Sequence, residues 1–174
     1  MPGPITLMPV PTLRHLFTVQ CTVDPPIEIG NGPFGRRRCV PIKSGTAIGP
    51  HLTGIVQPGG ADFMLVEDNQ TTHVNTNYVI KSTDDAFLYI RPDLDEYGRT
   101  EGTRAGPPEV LQALMEGGPV DPSQYWFHLH IKIETGHEKY KWMNNRVIVG
   151  RAMRTKEEVS YNAYCLENDA GDDL

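Results

Sequence analysis

The chain has 174 residues, 39% hydrophobic and 22% charged, which fits one globular domain well above the size that needs disulfide or metal staples. Sixteen lysines and arginines against 22 aspartates and glutamates give a formal net charge of -6, which excludes a protein that works by neutralising nucleic-acid phosphates. The 17 glycines and 15 prolines exclude a helical bundle, and three cysteines without CxxC spacing indicate neither a disulfide framework nor a zinc knuckle and suit a reducing compartment.

The opening MPGPITLMPVP has no basic region before an apolar run, so residues 1 to 11 are expected to be a flexible segment and not a signal peptide. The segment LRHLFTVQCTV then alternates, with Phe17, Val19, Cys21 and Val23 on one face and Thr18, Gln20 and Thr22 on the other, a half-buried strand. After Asp24-Pro25-Pro26, IEIGNGPFG reads as a short strand running into a glycine-rich turn. Short strands are expected around residues 36 to 43, 51 to 57, 62 to 67, 72 to 82 and 86 to 91. The strand pattern then stops for about thirty residues, the mark of an insertion with structure of its own.

Within the insertion, RAGPPEVLQALMEGG predicts a helix, with Pro107 and Pro108 in the first turn, Glu109 at the positive end of the dipole and Gly117 at the close. Strand patterns return in QYWFHLHIKIET, WMNNRVIVGRAMR and VSYNAYCLE. The sum is roughly eight to ten strands and one helix, an antiparallel barrel or sandwich in a single domain over residues 12 to 166. The final residues, 167 to 174, read as an acidic disordered tail, and without its four acidic residues the remaining body carries a net charge of only -2. No stretch has the apolar length to span a bilayer, so a cytoplasmic location without membrane partners is the default expectation.

The segments GRRRCVPIKSGTAIGPHLTG, PGGADF, STDDAFLYI, GPPEVLQALMEGGPVDPSQYWF, IETG and YKWMNNRVIVG, in that order, resemble the family called domain of unknown function 3237, small proteins of bacteria and fungi. The resemblance spans about residues 12 to 166 and implies a closed antiparallel β-barrel of about eight strands with a helix on the long connection. It carries little chemistry, beyond a lean toward secondary metabolism from the fungal members. The chain also departs from the family pattern. Asn75 and Asn77 stand where the family has an Asp and an Arg that could neutralise each other in a polar interior; Asp85 replaces a turn glycine; His128 replaces an Arg; Ile131 replaces a proline.

Candidate chemistry follows from residue type and face. Asp62, just beyond the PGG turn, is suited to be a general base at a barrel mouth, with a turn carboxylate as the plainer role; Asp84 has the same plainer role. His128, His130, Lys132 and Glu134 share one strand face, and the H-x-H-x-x-x-E spacing matches the first metal motif of cupins. The second cupin motif is missing, since no proline follows Pro122 and His137 is the sole later histidine, so no metal is assigned. Arg38 is the preferred inward member of the arginine triplet, fit to stabilise a carboxylate, enolate or phenolate.

The reading is a cofactor-independent enzyme of isomerase, cyclase or lyase type. A small oxygenated aromatic or polyketide-like molecule would be bound in the lumen and have its protons moved there. Asp62, His128, His130 and Tyr89 are the candidate catalytic residues, and Arg38, Asn75, Asn77, Glu134, Trp142 and Asn144 the candidate substrate contacts. A carrier barrel without turnover is the alternative, a metal-dependent enzyme using His128, His130 and Glu134 a weaker one, and the oligomeric state is left open.

Overall fold

A computed structural model describes residues 8–68, 70–92, 102–118 and 120–168. The expected flexible residues 1–7 and the tail from 169 onward lie outside the described residues. Twelve strands form one antiparallel sheet: β1 (Thr12–Val23), β2 (Ile27–Gly32), β3 (Gly35–Ile48), β4 (Gly54–Val56), β5 (Ala61–Val66), β6 (Thr72–His73), β7 (Thr76–Ser82), β8 (Phe87–Pro92), β9 (Thr103–Ala105), β10 (Trp126–Glu134), β11 (Ile148–Arg154) and β12 (Glu158–Glu167). Pairing runs β1-β12-β11-β10-β8-β7-β4-β3, and β3 returns to β1, so the sheet closes on itself. The expected closed barrel is therefore present, with more strand segments than the eight anticipated.

The extra strands arise because β3 is 14 residues long and serves two neighbourhoods. Its second half pairs with β1 and β4, while its first half pairs with β2 and β5. From β5 a short path through β6 and β9 reaches β10, which closes the wall at that end.

Alternation decides what fills the barrel. Val19, Cys21 and Val23 of β1 are buried as expected, but a register shift between His15 and Phe17 turns both Leu16 and Phe17 inward, each with no exposed surface. These two pack with Leu52, Ile80, Leu88, Ile133 and Met143 into a solid apolar plug at one end. Above the plug, the hydroxyls of Tyr78 on β7 and Tyr161 on β12 meet across the lumen as a crossbar.

The one α-helix among the described residues, α1 (Pro108–Glu116), begins and ends where the prolines and Gly117 predict, with Gly117 left-handed at φ 82° and Leu111 and Leu114 buried. Two segments differ from expectation. Residues 141–145 form a 3-10 turn that buries Met143 instead of starting a strand, and Arg104, read as part of the helix segment, lies in β9. Glu167 belongs to β12 and not to a tail: its side chain is 7% exposed and paired with Arg14 at 2.5 Å.

The turn between β7 and β8 explains one family departure. Asp85 occupies the left-handed region at φ 65°, where the family's glycine would sit without strain, and its carboxylate meets Lys81 at 2.7 Å on the surface. Asp84 beside it accepts hydrogen bonds from Ser82 and Tyr140 and an ion pair from Lys139, which together hold it far below the usual carboxylate range. Asp84 is thus a turn clasp, the plainer of its two roles. Replacing Asp85 by glycine is expected to stabilise the protein by about 1 kcal/mol, because relief of left-handed strain outweighs an exposed ion pair. Urea denaturation measures this; a loss of stability would contradict it.

Candidate active site in the barrel lumen

Between the tyrosine crossbar and the β9 end lies a cavity open at its mouth, walled by β1, β3, β5, β7, β8, β10, β11 and β12. Most of its wall is apolar, with Val19, Val40, Ile42, Met64, Ile90 and Phe127 among the contributors. Asp62, Thr76, Arg104 and Arg154 break that surface.

The PGG turn places Asp62. Gly59 is left-handed at φ 101°, and Gly60 lies so close to β7 that a β-carbon there would stand 2.5 Å from Tyr78 Cβ. β5 can then pair Ala61 with Asn77 and Asp62 with Thr76, which turns the Asp62 side chain inward beside Val40. At the break between β6 and β7, the Asn75 amide donates to Asp62 Oδ1 at 2.7 Å. Burial in the apolar wall dominates the carboxyl and pushes it up to about 6, against the opposing pull of that amide, Arg104, Arg154 and the Thr76 side chain.

Arg104 is 3% exposed. It donates to Thr72 Oγ1 at 3.2 Å, approaches Met115 Sδ of α1 at 3.5 Å and lies 5.9 Å from the Phe127 ring centre. Burial, then repulsion by Arg154, lower its guanidinium to about 10, while Asp62 pulls the other way. Arg154 extends the inward series Ile148, Gly150 and Ala152 on β11, and burial lowers it as well. Arg38 shares the inward face of β3 with Val40 and is coupled to both, but its own ion partner is Glu28 at 2.5 Å.

The remaining sequence candidates do not converge here. β10 turns Phe127, Ile131 and Ile133 inward, so His128 and Glu134 face out and His130, an exposed residue, reaches only the cavity's rim. The His128 ring centre lies 3.9 Å from that of Trp126, with the two rings tilted, and burial followed by Arg151 lowers its imidazole. Glu134 is held by Arg91 at 2.5 Å. Tyr89 donates to Asn77 Oδ1, and Asn77 donates to Asn75 Oδ1, each at 2.8 Å, on the outer surface. The positions of the family's Asp and Arg are therefore outside the barrel and not in a polar interior. Trp142 packs near His51 and Arg14 at the plugged end, and Asn144 clasps the backbone of Thr135. Among the described residues, no group of three His, Cys, Asp or Glu side chains could hold a metal ion.

A family model described as protein of unknown function (DUF3237) matches residues 11–166. The chain belongs to this family. A UPF0311 protein of Bradyrhizobium diazoefficiens is 34% identical over 151 residues, covering 86% of this chain and 93% of that protein. The crystal structure of a conserved protein of unknown function from Rhodopseudomonas palustris superposes with a TM-score of 0.83 at 30% identity, covering 91% of this chain and 99% of that one. The structure of an enzyme from Penicillium herquei shares the fold at a TM-score of 0.63 and 18% identity, covering 96% and 100%. No helix of the described residues is long and apolar enough to cross a membrane.

Within this DUF3237 barrel, the sequence candidates omit Thr76, Arg91, Arg104 and Arg154, all of which line the lumen. Arg154 was within reach, since it continues the apolar face of RVIVGRAMR at strand spacing. Arg104 gave no such signal, because a three-residue strand beside a helix has no period to read.

The raised carboxyl has a stability signature. Folded Asp62 holds its proton up to about 6, whereas an unfolded Asp releases it near 4, so the folded state binds the extra proton between those values and stability falls as pH rises through that interval. Melting temperatures of wild type and Asp62→Asn between pH 4 and 7 are expected to diverge, with the variant gaining on wild type as pH rises. Parallel curves would contradict the raised carboxyl.

Proposed function

We propose that this chain is a cofactor-independent enzyme that transfers protons on a small oxygenated molecule held in the lumen. The observation that carries the reading is a carboxyl group set near 6 in an apolar cavity, with two guanidiniums close enough to oppose its shift. A base tuned toward neutral pH is half ionised near 6 and still basic enough to accept a proton from an acidic carbon. In such a step Asp62 takes the proton, the C–H electron pair moves onto the conjugated oxygen, and Arg104 and Arg154 stabilise the oxyanion. The apolar wall excludes water and strengthens that attraction.

Enolate-mediated isomerisation, aldol-type cyclisation and elimination of a β-leaving group all begin this way. The likeness to the Penicillium herquei enzyme supports the choice of an enzyme, and an aromatic or polyketide-like substrate of secondary metabolism is the class we assign from the family's fungal members. Of the sequence candidates Asp62 is the base, and Arg104 and Arg154 take the oxyanion-stabilising role expected of Arg38.

The predominantly apolar wall favours one second reading, a binding or carrier barrel. Deuterium exchange of acetylacetone and 2′-hydroxyacetophenone, followed by NMR, separates the two. The enzyme reading predicts accelerated exchange whose second-order rate constant rises with pH through about 6 and drops about 10²- to 10⁴-fold in Asp62→Asn. Equal exchange by wild type and the variant would overturn it, and tight binding without exchange would favour a carrier.

A further inference from the structure

We propose that the natural ligand of this lumen is a monoanion, an apolar molecule bearing one group already ionised at neutral pH, a carboxylate or an acidic phenol, seated against Arg104 and Arg154. The proposal deepens the proton-transfer reading and rests on the same cavity.

The charges on the wall do not balance among the described residues. Three guanidiniums, those of Arg91, Arg104 and Arg154, face one carboxylate, Asp62, with His130 at the rim. Arg91 is taken by Glu134 at 2.5 Å, and Arg38, on the inward face of β3, by Glu28 at 2.5 Å. Among the described residues, two cations thus remain against one anion. No described carboxylate lies within 4.0 Å of Arg104 or Arg154. The side-chain partners of Arg104, at 3% exposure, are a hydroxyl, a thioether and an aromatic ring, all neutral. A guanidinium in so dry a setting is costly unless an anion joins it.

Proton transfer does not supply that anion. As Asp62 accepts the proton it loses its charge, and the same single negative charge appears on the substrate oxygen. One guanidinium serves this migrating charge before and after the step. The second has no balancing carboxylate among the described residues in either state, and a permanent anionic group on the ligand balances it. The arrangement also sets orientation: the ionised group lies at the β9 end beneath α1, where Met115 approaches Arg104, and the apolar body points down toward the Tyr78 and Tyr161 crossbar. Charge-assisted bonds from guanidinium to carboxylate are directional enough to fix that pose.

Calorimetric titration with 2-naphthoate and its neutral isostere 2-naphthamide tests this at pH 7.5. Wild type is expected to bind the naphthoate at least about tenfold more tightly than the amide. Arg154→Gln is expected to reduce that preference to below about threefold, and Asp62→Asn to keep or widen it. Arg104→Gln should act like Arg154→Gln; should it fail to fold, Arg154→Gln decides alone. Equal binding of the two ligands, binding of neither at millimolar concentration, or a preference that survives Arg154→Gln would overturn the proposal. Deuterium exchange lost in Asp62→Asn would leave proton transfer standing even then, so the two readings fail separately.

Discussion

A sheet that closes into a ring removes water from its inner face, and any polar group a strand turns inward must find its partners on other strands. At Asp62 the partner is an amide released where β6 gives way to β7, and the nearby cations come from β9 and β11. Four segments distant in sequence must therefore close correctly before the carboxylate is tolerated. That requirement ties the doubled role of β3, the PGG turn and the short β5-β6-β9 path to a single polar site.

The two ends of the barrel divide the work. Leu16, Phe17, Ile80, Leu88 and Ile133 fill one end completely and bring the stability of a packed core. The other end leaves room, and it spends some of that stability on a buried carboxyl and two partly desolvated guanidiniums. The crossbar of Tyr78 and Tyr161 marks the border, and burial raises both phenols, so they stay protonated and able to donate. A site that keeps charge in a dry place at a cost to folding is the setting that the proposed proton transfer calls for.

Much of the fold was legible in residue order. Alternation in β1, the proline and glycine bounds of α1 and the turn at Asp85 are local signals, and each appears where the sequence puts it. Strand faces were legible as sets, but which set faces inward was not: β10 separates His128 and Glu134 from Phe127, Ile131 and Ile133 as expected, and closure then turns the polar set outward. In β7 both faces carry polar residues, so Asn75 and Asn77 looked as fit for the lumen as Thr76 and Tyr78. Asp62 was found because a glycine turn beside an acidic residue is a local pattern. Arg104 was not, because only the pairing of β9 with β6 and β10 turns it inward.

The proposed proton transfer depends on the ionisation of one carboxyl group. Carbon-13 NMR of protein labelled at the aspartate side chains, with Asp62→Asn used for assignment, follows that carboxyl directly through pH. The account predicts a midpoint near 6 for Asp62 in the unliganded protein. A midpoint near 4, the ordinary value for an exposed aspartate, would contradict it.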